Sequence, residues 1–342
     1  MILQRTKVIS LALQGGGSHG AFTWGVLDRF LEEPRLEVEG ISGASAGAMN
    51  AVMVAAGLAQ GGAEGARAML ASFWQRIGQQ SRLTLFQPSL FDLLDGRQGL
   101  DWSPGYQLSR VMGRVLSPYQ LNPLDRNPLR DIISGLVDFE RLRRACPVKL
   151  FIATTQVRTG KLRVFGAEEI SVEVLLASAC LPSLHHAVTI DGEPYWDGGY
   201  TGNPPIFPLL YGCDHPDILA VLLSPLVRPE IPSSVEAIRE REVELAFSTT
   251  FLREMRAIAQ AQEQLRWFAV GRLERRLKRL NFHLVHADDL LGGLRHSSKV
   301  NTRMEFLTML REEGRAHADR WLEQHFESIG TRSSVNLAGL FG

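Results

Sequence analysis

Cysteine is scarce in this 342-residue chain. Cys146, Cys180 and Cys213 are the only three, odd in number and without C-x-x-C spacing, which argues against both a disulfide framework and a zinc site. They are expected to be reduced and structural. An excess of either charge is also missing: Lys and Arg total 37, and so do Asp and Glu, so nothing points to nucleic acid or to an acidic partner. Long hydrophobic runs are absent as well. The longest, Ala44 to Ala59, is short, rich in Ala and Gly, and interrupted by Asn50; it predicts a helix packed on a sheet rather than a membrane span. The opening residues MILQRTKVISLALQGGG enter a strand pattern almost at once, leaving no space for a leader and its cleavage site, so a cytoplasmic location is expected. There are no internal repeats and no low-complexity segment.

What the chain does have is apolar content, 45% hydrophobic against 22% charged, enough to bury a substantial core. It also has two glycine-framed segments, GASAG at Gly43 to Gly47 and GGGSHG at Gly15 to Gly20. In G-x-S-x-G the glycines flank a serine on a strand-to-helix turn so tight that side chains there would collide. The required context is present: Val38 to Ser42 reads as a strand and Ala46 to Ala56 as an alanine-rich helix. Ser45 would then sit at a helix N-terminus, where unpaired amides and the helix dipole favour developing negative charge.

GGGSHG follows a strand-like run, Val8 to Leu13, and opens an amphipathic helix from about Ala21 to Glu33 whose stripe is Phe22, Val26, Leu27, Phe30 and Leu31. A Walker loop is excluded because no GK[ST] follows. The segment also satisfies G-x-G-x-x-G, and Glu37 or Glu39 lies near the spacing of a ribose-binding acid, so a dinucleotide site competes. Against that, the next strand runs straight into GASAG, which an acyl hydrolase needs and a dinucleotide fold does not. The alternative is an oxyanion hole in which Gly15, Gly16 and Gly17 bring amides to a substrate carbonyl without side-chain obstruction.

A serine nucleophile needs a base. Asp197 in YWDGGY is the candidate, at the end of a short strand, Glu193 to Trp196, with two glycines giving the chain room to turn. His185 and His186 stand eleven and twelve residues before it and would allow a Ser-His-Asp triad; otherwise they line the pocket mouth or pack over the sheet edge. If Asp197 is itself the base, it has to be withdrawn from water to raise its pKa, which predicts a short Ser45 to Asp197 contact in a mostly apolar pocket.

GGGSHG, GASAG, ASACLP at Ala177 to Pro182, and the DGG of Asp197, in this order, resemble the patatin-like phospholipases over about Val8 to Leu226. The resemblance implies a three-layer α/β/α sandwich, Ser45 as nucleophile, Asp197 as base in a dyad without histidine, an oxyanion hole at Gly15 to Gly17, and hydrolysis of lipid carboxylic esters without a cofactor or metal. Phospholipid, lysophospholipid, acylglycerol, acyl-thioester and simpler esters are candidate substrates. One departure stands out. The family's glycine loop usually carries Arg or Lys where this chain has His19, a group largely neutral near pH 7, which weakens any reading of the loop as a phosphate clamp.

Elsewhere, Val148 to Val157, Leu162 to Phe165 and Ile218 to Leu223 read as further strands, and their alternation with helices predicts a mainly parallel sheet. Ala66 to Ile77 reads as a helix. Leu85 to Pro128, broken by Pro, Gly and Ser, predicts an irregular excursion over the pocket. The catalytic unit is expected over residues 8–226 and a mainly helical extension over 232–330. That extension holds a long helical pattern from Val235 to Arg279, a strand-like NFHLVHA, and a last helix from Arg303 to Phe326. Within it, Arg266 to Leu280 is basic and amphipathic, suited to a peripheral membrane contact or a lid, or to packing on its own domain or a second subunit. A regulatory or membrane-binding protein on the same fold remains the alternative function.

Overall fold

A computed structural model describes residues 6–81, 87–265 and 271–342. Eight strands form one mixed sheet: β1 (Lys7–Leu13), β2 (Leu36–Gly43), β3 (Lys149–Gln156), β4 (Leu162–Phe165), β5 (Val188–Ile190), β6 (Glu193–Asp197), β7 (Asp217–Val221) and β8 (Asn281–Val285). Their order is β5-β6-β3-β2-β1-β7-β8, with β4 also paired to β3. The stretch from β3 to β8 is parallel, as the alternation predicts, while β4, β5 and β6 join antiparallel.

The helices are α1 (Gly20–Phe30), α2 (Ala46–Ser81), α3 (Leu90–Asp95), α4 (Pro104–Met112), α5 (Pro118–Leu121), α6 (Pro128–Ser134), α7 (Phe139–Arg144), α8 (Val172–Ser178), α9 (Phe207–Gly212), α10 (Val235–Gln264), α11 (Arg272–Arg279), α12 (Asp288–Gly293), α13 (Met304–His325) and α14 (Leu337–Phe341). The period-2 geometry of the strands makes this a sandwich. Ile9, Leu11 and Leu13 of β1, with Leu219 and Val221 of β7, face a core built with α1, α2 and α13. Ala12, Ile218 and Ala220 face a second core built with α9, α10 and α14.

Residues 232–330 are mainly helical, and they are also part of the sandwich. β8 pairs in parallel with β7, and α13 supplies Phe306, Leu307, Leu310 and Ala318 to the first core. The α1–α13 crossing is close because glycine stands at both contact points. A methyl built on Gly25 would lie 1.9 Å from the Arg311 carbonyl oxygen, and one on Gly314 2.1 Å from that of Phe22. Asp28 of α1, 3% exposed, is held there by Arg67, Arg311 and Arg315.

The predicted helix over Ala66 to Ile77 is the second half of α2, which kinks at Gly61 and Gly62. The Leu85 to Pro128 excursion contains the short helices α3, α4 and α5, and its residues 85–86 lie outside the described residues. The long pattern from Val235 is two helices rather than one. Residues 266–270 of its basic segment lie outside the described residues, and the rest forms α11, whose Leu277 joins Leu280 in the second core.

Candidate active site

β1 and β2 end side by side, with Leu13 paired to Gly43, so the two glycine segments emerge together at the C-terminal ends of two central strands. β2 turns into α2 through Ser45, which has a φ of 53°. That left-handed conformation is costly for a non-glycine residue and recurs at functional sites. The glycines of G-x-S-x-G make the turn possible: a methyl on Gly47 would lie 2.1 Å from the Leu13 carbonyl oxygen, and one on Gly43 would lie 2.6 Å from the Gly47 carbonyl carbon. Ser45 is partly exposed at the N-terminus of α2.

Asp197 reaches Ser45 through the register of β3. Ile152 pairs with both Gly43 of β2 and Phe165 of β4, while Thr154 pairs with both Arg163 of β4 and Asp197 of β6. A strand edge takes one neighbour at a time, so β4 holds one edge of β3, and β2 and β6 share the other in succession. Asp197 therefore starts two β3 residues beyond the point where β2 departs toward Ser45. The ASACLP block clasps the two together. The Ser45 amide donates to the carbonyl oxygen and Oγ of Ser178, at 3.1 and 3.0 Å, and the Asp197 amide donates to the Cys180 carbonyl at 2.8 Å.

Asp197 is 0% exposed. Its Oδ1 accepts the Gly199 amide at 2.7 Å, and Phe247 of α10 covers the turn, its ring 4.5 Å from that of Tyr200. Burial drives the carboxyl pKa from 3.8 up to about 7, against the pull of the Gly199 amide and the Ser45 hydroxyl. Oδ2 is buried without a well-formed hydrogen bond among the described residues. The two side chains thus adjoin.

The glycine loop divides the tasks expected of it. Gly15 packs against Ser45, since a methyl on it would lie 2.8 Å from Ser45 Cβ, but its amide is occupied, donating to Asn203 Oδ1 at 2.6 Å. It leaves room and anchors the loop rather than donating to a substrate. The amides of Gly16 and Gly17 have no acceptor among the described residues. Asn203 and Gln14 carried no sequence signal. Gln14 Nε2 donates to the Asn203 carbonyl, and its Oε1 accepts from Leu223 and Ser224.

The histidines sit elsewhere. His19 is buried, with Nε2 2.7 Å from Ser298 Oγ, and burial with the nearby Lys299 and His296 lowers its pKa to about 3. It is neutral and cannot clamp a phosphate. His186 stacks on Tyr119 of α5 at 4.1 Å, and neither it nor His185 hydrogen-bonds Ser45 or Asp197. The triad alternative has no geometric basis here. The dinucleotide alternative also fails on register. Glu37 pairs with Val8 at the opposite end of the strands from the loop, and Glu39 is held by Lys149 and His215.

The profile of the patatin-like phospholipase family matches residues 11–210. VipD from Legionella pneumophila is similar in structure, at 14% identity and a TM-score of 0.36, covering 89% of this chain and 67% of its own. ExoU, in its complex with SpcU from the type III secretion system of Pseudomonas aeruginosa, is similar at 16% identity and a TM-score of 0.32, covering 93% of this chain and 52% of its own. The chain thus spans about half the length of ExoU. No curated protein sequence matches it significantly. With more than half of its residues inside the profile, the chain belongs to the patatin-like phospholipase family.

Proposed function

We propose that the protein is a serine acyl hydrolase that cleaves lipid carboxylic esters through a Ser45–Asp197 dyad. The observation that carries this reading is a serine held at φ 53° on a helix N-terminus beside a buried carboxylate whose pKa burial has brought to about 7. Ser45 Oγ attacks the ester carbonyl as its proton passes to Asp197. The oxyanion is received by the amides of Gly16 and Gly17, each such donor supplying about 3 kcal/mol of transition-state stabilisation. The tetrahedral intermediate collapses, the alcohol leaves with the proton from Asp197, and water repeats the sequence on the acyl-enzyme, releasing the acid.

A lipid substrate suits the surface near the site. The excursion of α3 to α5, joined to the loop after the ASACLP block by the Tyr119–His186 stack, exposes Phe91, Trp102, Leu108, Val111 and Tyr119. Peripheral contact with a lipid surface is therefore proposed for this excursion; in the basic segment Leu277 and Leu280 are buried and Leu273 is exposed.

Labelling with a fluorophosphonate tests the chemistry directly. The wild-type protein is expected to react covalently at Ser45, and Ser45→Ala to lose both labelling and hydrolysis of p-nitrophenyl esters. An unlabelled wild-type protein inactive on esters of every chain length and on phospholipid vesicles would leave the regulatory reading in its place.

A further inference from the structure

The basic segment from Arg266 to Leu280 has no part in the proposed function. Within it, α11 carries Arg272, Arg275, Arg276 and Arg279 at i, i+3, i+4 and i+7, a spacing that puts all four on one face of a helix. Leu277 and Leu280 are buried in the second core, and Gln262 of α10 donates to their carbonyls at 2.8 and 2.9 Å. The helix is thus fixed in place, and its four arginines line a cavity of about 400 Å³. Leu210 of α9, Pro216 and Ile218 at the start of β7, and Leu280 just before β8 form the apolar part of its lining. Because β1, β2, β7 and β8 run parallel, this is the opposite end of the sheet from Ser45, which follows the end of β2.

Arg276 closes one side of the cavity. Its Nη1 donates to the Leu210 and Tyr211 carbonyls at 2.7 and 2.6 Å, and its Nη2 pairs with Asp214 at 3.3 Å, tying α11 to the end of α9. Asp214 is the one acid among the lining residues, and its other oxygen is taken by Lys149 at 3.0 Å. His215, on the same wall, is engaged through Nδ1 with Glu39 at 2.8 Å. Glu274, the acid of α11 itself, accepts the Gly271 amide at 2.9 Å and does not line the cavity. Arg272, Arg275 and Arg279 are exposed and have no ion pair or side-chain hydrogen bond among the described residues. Three guanidinium forks therefore border one cavity whose only carboxylate is already shared between two other cations.

The shape of these donors decides what they select. A guanidinium presents parallel N–H groups that meet the oxygens of a phosphate two at a time. A single carboxylate brings one charge and would leave most of the forks unmatched, whereas a phosphate monoester or a diphosphate brings two or more. The volume is that of a small-molecule pocket, for which about 300–1,000 Å³ is usual, and the apolar lining gives the organic part of such a ligand a surface to rest on. We propose that the cavity between α9 and α11 binds a phosphate ligand of two or more negative charges through Arg272, Arg275 and Arg279. None of these residues belongs to the site at Ser45, so the cavity stands independently of the hydrolase reading.

Isothermal titration calorimetry on the full chain, with pyrophosphate as the probe, tests the site. The wild type is expected to bind one pyrophosphate per chain. The double variant Arg275→Gln with Arg279→Gln is expected to bind it about a hundredfold more weakly, about tenfold for each charge-assisted contact removed. Both side chains are exposed, so the ligand-free variant is expected to keep the wild-type melting temperature. Arg275→Lys with Arg279→Lys, which keeps the charge and loses the fork, is expected to recover only part of the affinity. A wild type that binds neither pyrophosphate nor phosphatidylcholine vesicles containing phosphatidic acid would overturn the site, as would a glutamine variant that binds like the wild type. A lysine variant equal to the wild type would reduce the cavity to a patch of positive charge and overturn it too. Binding to the phosphatidic acid vesicles alone, lost in the glutamine variant, would keep the phosphate chemistry and assign it to a lipid headgroup; binding of soluble pyrophosphate would assign it to a free phosphate compound. No arm reads turnover, so inactivity on every ester would sink the hydrolase reading and leave these outcomes untouched.

Discussion

On the proposed mechanism, Asp197 is asked to do two things that oppose each other. As a base it must be ionised, and in its dry pocket ionisation is disfavoured. Its folded pKa of about 7 exceeds the unfolded 3.8, so the native state binds more protons than the unfolded state between those values. The resulting penalty is absent below about pH 4 and fully present above 7. Asp197→Asn is therefore expected to abolish ester hydrolysis and yet to raise the melting temperature at pH 8, by an amount that shrinks toward pH 4; every tenfold difference in proton affinity between the folded and unfolded carboxyl corresponds to about 1.4 kcal/mol. In the wild type, kcat/KM is expected to fall about tenfold for each pH unit below 7, since only ionised Asp197 accepts the serine proton. A pH–rate profile flat from 5 to 8 would remove Asp197 from the role of base. Ser45 and Asp197 were legible in the sequence because glycines frame the one and follow the other. Asn203 was not: its contact with the loop spans 188 positions of chain, and it lies in no pattern that betrays it.

Among the elements, the α1–α13 pair shows how tightly the C-terminal part is fitted. Gly314→Ala places a methyl 2.1 Å from the Phe22 carbonyl oxygen and is expected to cost about 1–3 kcal/mol, as overpacking does, read as a lower urea midpoint with the same m-value. The strands of the core were predictable from their periodicity within two residues, and the first helix within three. β5, only three residues long, offered too little alternation to detect. The packing role of β8 and α13 was hidden for a different reason: a strand or helix announces its own apolar face, not the partner that covers it.

For the molecule as a whole, the two cores share one sheet, so stability belongs to the chain rather than to the family profile alone. A chain ending at residue 280 loses β8 and α13 and exposes β7 along with the apolar face of α1; it is expected to lose cooperative unfolding, as judged by near-ultraviolet circular dichroism and calorimetry. No described helix is long and apolar enough to cross a membrane; the lipid contact proposed here is at the surface of the α3 to α5 excursion. Trp102→Ser combined with Phe91→Ser is expected to lower co-sedimentation with phospholipid vesicles several-fold, by removing two exposed aromatic anchors, while p-nitrophenyl butyrate turnover stays within about twofold. Equal vesicle binding by the variant would place the lipid contact elsewhere.

The succession of β2 and β6 along a single edge of β3 has a wider implication. The alignment of Ser45 with Asp197 is inherited from a backbone ladder, whose repeat of about 3.3 Å per residue is indifferent to side-chain identity. Outer helices and loop side chains can therefore be exchanged in this fold while the spacing of those two residues keeps its dimensions.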